Sequence, residues 1–169
     1  MSTRARVLTS TCWIRASLAE VWEQITEVDI AAIPHAWWLT VLGIPRPLRA
    51  DVLEPGVGGQ RVAHFEGGRR FTQEITEWRP SERFGFTFHA SADFVVGHVL
   101  NLSTGPFRMQ AGRYTLEQKG EGVELTLSSD YVLHGVVGVL LRLPVILTLW
   151  AFQRYLLGGI RANAERVDA

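Results

Sequence analysis

The chain has 169 residues, of which 47% are apolar and 20% charged. This length predicts a single domain, 1–169, large enough to fold without disulfides or a structural metal. The only cysteine, Cys12, cannot form an internal disulfide, so we expect a cytoplasmic protein. Seventeen basic residues balance seventeen acidic ones without any basic run, which argues against nucleic-acid binding.

The first third of the chain predicts one strand followed by two short helices. In Val7 to Arg15, β-branched and aromatic residues recur at every second position, as in a half-buried strand. Ser17 precedes Glu20 by three residues, the spacing of a capping box, and predicts the start of an amphipathic helix. A second, weaker helical stretch runs from Ile30 to Ile33.

From residue 45 to residue 133 the pattern changes to period two. Short segments at 48–53, 60–65, 71–78, 83–89, 108–118 and 123–131 are separated by residues typical of turns, which predicts antiparallel hairpins. The connection at 90–104 is long, and its sequence fits either an extra strand or a lid.

The chain closes with a predicted helix that begins at or after Pro144. Its apolar face consists of Leu149, Phe152, Leu156, Ile160 and Val167, and its charged face of Arg154, Arg161, Glu165 and Asp168. Leu147 and Trp150 interrupt the charged face near the start of this helix. We expect them either to cover a cavity or to make transient contact with a membrane surface. The arginines and the proline of this region argue against a membrane-spanning helix.

The predicted order of elements is typical of an α+β protein. A curved antiparallel sheet that wraps around a single long helix cannot be filled by backbone alone. We therefore expect a cavity lined by inward-facing side chains.

Five parts of the sequence form recognisable motifs: Ile14 to Trp22, Gly56 to Gly58, Phe71 to Pro80 followed by Arg83 and Phe84, Gly112 to Leu116, and Leu157 to Glu165. Together they resemble the polyketide cyclase/dehydrase and lipid-transport group of the START-like (Bet v 1-like, SRPBCC) superfamily. The sequence departs from the family pattern at Val123, where relatives often have threonine. The resemblance implies a helix-grip fold, in which a sheet of about seven strands surrounds the C-terminal helix.

Metal and nucleophile motifs are not found in the sequence. The five histidines lack the spacing of a metal site, and no cofactor is expected. Gly56 to Gly59 is expected to be a turn, because neither Lys-Ser nor Lys-Thr follows it as in a phosphate-binding loop.

Polar and aromatic residues on the predicted inner face are the candidate ligand-binding residues. Gln73 shares its face with Phe71 and Ile75, and an inward-facing amide needs a partner or a ligand. The full set is Trp37, Trp38, His64, Gln73, Phe86, His98, Arg108, Gln110, Tyr114 and Tyr131. For Arg108, a strand bulge would turn the side chain outward.

Three functions remain open from the sequence. The first is binding of a hydrophobic small molecule, such as a lipid, a quinone or an aromatic polyketide, by a monomer or a homodimer. The second is a cyclase/dehydrase reaction in which His98, Arg108 or Tyr131 moves a proton. The third is a membrane-peripheral interaction through Leu147 and Trp150.

Overall fold

The computed structural model describes residues 5–30, 33–97 and 100–167. The strands are β1 (Arg6–Ile14), β2 (Pro47–Val52), β3 (Gln60–Phe65), β4 (Arg70–Arg79), β5 (Arg83–Thr87), β6 (His89–Ala90), β7 (Val95–Val96), β8 (Leu100–Asn101), β9 (Phe107–Lys119) and β10 (Gly122–Leu133). The helices are α1 (Leu18–Thr26), α2 (Trp37–Val41), α3 (Gly135–Leu140) and α4 (Arg142–Val167). The predicted α+β order and the long C-terminal helix are confirmed.

The main sheet is antiparallel and curls into a half-barrel. Its strand order is β1-β10-β9-β5-β4-β3-β2, and the short β6 pairs with β4. The first strand, β1, thus lies at one edge of the sheet and pairs with the last strand, β10, and β2 forms the opposite edge. Helix α4 packs against β1 and α1, so it covers one side of the concave face more closely than the other.

The local sequence explains why these elements form. At the start of α1, the Ser17 hydroxyl accepts a hydrogen bond from the Glu20 backbone N–H, and the Glu20 carboxylate accepts one from the Ser17 backbone N–H. In β10 the predicted alternation is confirmed, because Leu125, Leu127 and Ser129 are buried, whereas Thr126 and Ser128 between them are partly exposed.

Two helix predictions are corrected. Ile30 is not helical, because its N–H donates to Leu48 O and joins the chain to β2. The second short helix begins seven residues later, at Trp37. Helix α4 begins at Arg142, with Pro144 in its first turn, and the additional short helix α3 precedes it.

Helix α4 is long and apolar enough to cross a membrane. It is the one helix with this property in the part of the chain that the structure describes. One face of it lies in the protein core, where Gln153, Leu157 and Ile160 are each 1% exposed. Leu147 and Trp150 lie on the other side and are 56% and 50% exposed. The helix therefore provides both a core face and an apolar surface.

Gly112 is expected to be essential for packing in the centre of the sheet. A Cβ at this position would lie 2.7 Å from Cε2 of Phe86. Because Phe86 is nearly fully buried, Gly112→Ala should lower the free energy of unfolding by about 1–3 kcal/mol, measured by urea denaturation.

Gly158→Ala provides the matched control. Gly158 lies inside α4, and a Cβ there would have no neighbour within 4 Å. The free energy of unfolding should stay unchanged or rise by up to about 1 kcal/mol, because alanine favours the helix. Equal stabilities of Gly112→Ala and the wild type would contradict the packing argument.

Candidate functional site

A cavity of about 300 Å³ lies between the concave face of the sheet and α4. Its lining is predominantly apolar and combines the central strands of the sheet with the first half of α4. Seven phenylalanines contribute, namely Phe65, Phe71, Phe86, Phe88, Phe94, Phe107 and Phe152. From α4, Leu149 and Leu156 complete the opposite wall. The volume and lining are those of a small-molecule site.

The long connection at 90–104 closes one side of this cavity. It forms a small antiparallel pair, β7 with β8, separate from the main sheet. Phe94 is only 2% exposed and packs on Phe65 and Phe71, with ring centroids 5.0 and 4.4 Å apart. The sequence left open whether this segment is an extra strand or a lid. The structure combines both, because β7 and β8 form a short pair of strands and Phe94 covers the cavity.

Three polar side chains meet inside the apolar lining. Arg61 of β3 lies directly across from Gln73 of β4, and its Nη1 donates to Gln73 Oε1 at 3.0 Å. Tyr114 of β9 lines the same cavity and is 4% exposed. Gln73 and Tyr114 belong to the predicted set, whereas Arg61 does not.

Burial shifts the pKa values of the two ionisable members of this group. The loss of hydration lowers the pKa of the Arg61 guanidinium from its ordinary value, because burial penalises the charged form. Burial raises the pKa of the Tyr114 phenol, and the positive charge of Arg61 offsets part of that rise. Tyr114 therefore stays protonated at neutral pH and offers a hydroxyl rather than a phenolate.

A second polar group spans the core between β1, β10 and α4. Gln153, which is 1% exposed, donates from Nε2 to Ser129 Oγ at 2.8 Å and to Leu8 O at 3.1 Å. Its Oε1 accepts from Ser10 Oγ at 2.7 Å. Because both ends of the Gln153 amide have partners, this group attaches α4 to the sheet.

Of the other predicted residues, Phe86 and His64 also line the cavity. Phe86 is 2% exposed. The His64 side chain is 36% exposed, and its Nε2 lies 3.2 Å from Asp51 Oδ2. It therefore contributes to the lining while remaining in contact with solvent.

Three predicted aromatic residues lie outside the cavity lining. Trp37 is 73% exposed, and Trp38 packs edge-to-face on Tyr155 of α4 with centroids 6.3 Å apart. Tyr131 is buried, but it packs against Phe107 instead of lining the cavity.

A β-bulge overturns the predicted facing of Gln110 and Arg108. The register between β9 and β10 shifts so that Asp130 pairs with Ala111 while Tyr131 pairs with Met109. Gln110 is the extra residue and is exposed, as is Arg108. Phe107 and Met109 face the cavity in their place. His98 lies outside the described residues.

The potential metal ligands of the described ranges are dispersed, and the single cysteine is partly buried. No group of three or more histidine, cysteine, aspartate or glutamate residues there is placed to hold a metal ion. Burial raises the pKa of the Cys12 thiol from 9.0 to about 11, so the reactive thiolate is scarce at neutral pH.

Arg61 is the residue that sequence reasoning missed. The signal was its period-two spacing with Ala63 and Phe65, which places the three on one face of β3. A charged residue in a half-buried strand normally faces solvent, so the charge of Arg61 suggested the outer face. Only the apolar residues Ala63 and Phe65 on the same side indicated that Arg61 faces inward.

Comparisons with known proteins show the fold. No family model matches the chain, and no curated protein matches it. Among solved structures, it is similar to DynU16 from the dynemicin biosynthetic locus, with 19% identity over 94% of this chain and a TM-score of 0.59. This chain spans about half of the DynU16 chain, 47%.

Two further structures resemble the whole chain. Ara h 8.0201 is 12% identical over 96% of this chain and 99% of its own, with a TM-score of 0.59. Norcoclaurine synthase from Thalictrum, in complex with a transition-state analogue, is 12% identical over 100% of this chain and 99% of its own, with a TM-score of 0.59. The chain therefore shares the helix-grip fold of these structures, which is the fold that its motifs imply.

Proposed function

We propose that this protein binds a hydrophobic small molecule, such as a lipid, a quinone or an aromatic polyketide, in the cavity between the sheet and α4. The observation that carries this proposal is an apolar cavity of about 300 Å³ between the sheet and α4, next to the hydrophobic core. One chain builds the whole cavity, so binding is expected of a monomer and of a homodimer alike.

The cavity supports binding better than acid/base catalysis. Of the residues expected to move a proton, Arg108 faces solvent and Tyr131 does not line the cavity. His98 lies outside the described residues. Among the polar groups that do line the cavity, Arg61, Gln73 and Tyr114 are buried and suited to orienting a ligand, whereas His64 is partly exposed. A cyclase/dehydrase reaction stays the second candidate.

Filling the cavity should abolish ligand binding. Ala63 lies on the inner face of β3 and lines the cavity, so Ala63→Phe places a ring in the space of the ligand. We expect at least a tenfold loss of affinity for N-phenyl-1-naphthylamine, an uncharged dye that fluoresces in apolar sites, measured by fluorescence titration.

The matched control is Val62→Phe, which adds the same ring one residue earlier, at a position outside the cavity lining. Its affinity for the dye should equal that of the wild type. Circular dichroism should verify that Ala63→Phe is folded. If the folded variant binds the dye as tightly as the wild type, the dye does not bind in the cavity.

A contact with membranes is a further part of the proposal, and an exposed apolar patch supports it. We define the α3–α4 patch as Val136, Val137, Val139, Leu140, Leu143, Leu147 and Trp150, each at least 50% exposed. Between residues 136 and 150 the sequence contains Arg142 and no acidic residue, which favours an anionic surface. Leu141, Val145 and Leu149, interspersed with the patch residues, line the cavity. The patch therefore lies directly outside the cavity wall.

Flotation with liposomes tests the α3–α4 patch. The wild type should float with vesicles of phosphatidylcholine and phosphatidylglycerol, and the double variant Leu147→Ala/Trp150→Ala should lose most of that binding. Leu53→Ala/Val57→Ala, which removes two exposed apolar side chains near the β2–β3 turn, is the control and should float like the wild type. Unchanged flotation of the Leu147/Trp150 variant would contradict the proposal.

A further inference from the structure

Arg61 is a buried cation whose hydrogen-bond partners in the protein are all neutral. Its residue is 3% exposed, and its guanidinium donates to Gln73 Oε1 at 3.0 Å and to Ile25 O at 2.9 Å. Within the described part of the chain, the buried Nε has no hydrogen-bond partner. Two of the five N–H donors of the guanidinium are therefore used by the protein.

No acidic side chain in the described ranges forms an ion pair with Arg61. The groups that act on it electrostatically are first the Tyr114 phenol and then Asp51. The Asp51 carboxylate already lies 3.3 Å from Arg49 Nε and 3.2 Å from His64 Nε2. The Arg61 Cζ lies 5.2 and 5.4 Å from the ring centroids of Phe84 and Phe86. These aromatic faces compensate only part of the lost hydration, because a buried charge normally requires an opposite charge.

The position of Arg61 makes this charge available to a ligand. Arg61, Gln73 and Phe86 all line the cavity. The two hydrogen bonds and the aromatic contacts hold the guanidinium in one orientation before any ligand arrives. A planar, immobile guanidinium with unused N–H groups is well suited to binding an oxyanion.

We propose that the cavity selects amphipathic ligands, apolar molecules that carry one acidic oxygen group such as a carboxylate, and that Arg61 binds this group. The inference rests on the proposed function, because it specifies the class of ligand for the same cavity. The phenylalanine-rich remainder of the lining holds the apolar part of the ligand. Tyr114, protonated and on the same wall, supplies a hydroxyl near the charged end.

Two dyes that differ in a single group test the inference. 1-Anilinonaphthalene-8-sulfonate is N-phenyl-1-naphthylamine with an added sulfonate, so the pair isolates the effect of the negative charge. The wild type should bind the sulfonate at least tenfold more tightly than the uncharged dye. Arg61→Met should remove this preference while the uncharged dye still binds.

Arg113→Met is the matched control for the loss of a positive charge. Arg113 is exposed on β9, pairs with Glu77 and does not line the cavity, so its replacement should leave the preference intact. Ala63→Phe should reduce the binding of both dyes, which identifies the signal as that of the cavity.

A measurement on the wild type alone keeps the test valid if Arg61→Met does not fold. Dodecanoate should displace the bound uncharged dye at a concentration at least tenfold lower than dodecanol does. Equal displacement by the acid and the alcohol, or an unchanged preference in folded Arg61→Met, would overturn the inference and leave the proposed function standing. If neither dye binds and neither lipid raises the Tm, the proposed function itself fails.

Discussion

The structure depends on the mismatch between a wide, curled sheet and the one long helix that covers it. Helix α4 packs closely on β1 and α1, where Leu157, Ile160 and Ala164 are nearly fully buried. One helix cannot also fill the space above β3 and β4, because its side chains reach only one side of the concave face. The cavity follows from this geometry, and the β7–β8 hairpin covers it with Phe94.

Within this apolar space, the few polar groups divide into two kinds. The amide of Gln153 has partners at both ends, in Ser10, Ser129 and the backbone of Leu8, so it serves to attach α4 to the sheet. Arg61 is different, because its charge has no acidic partner among the described residues and part of its donor capacity is unused there. A group that only stabilised the fold would be expected to have its hydrogen-bonding capacity satisfied, as that of Gln153 is.

Local sequence patterns were sufficient to predict the α+β order of elements, and the resemblance to a known superfamily implied the helix-grip arrangement. The Ser17–Glu20 capping box and the alternation in β10 are both present as predicted. The facing of β9 was wrong at Gln110 because a bulge inserts one residue, and a bulge depends on the pairing of two strands rather than on one segment. The side chain of Arg61 was missed because its charge suggests a solvent-facing position.

Native mass spectrometry of the protein purified from its own host tests the central claim most directly, that the cavity holds an apolar ligand. The account predicts an adduct of small-molecule mass that survives gentle ionisation, is absent from Ala63→Phe, and is recovered by organic extraction as an apolar compound with an acidic oxygen group. Protein that is consistently empty, and whose Tm does not change with any lipid, quinone or aromatic acid, would contradict it.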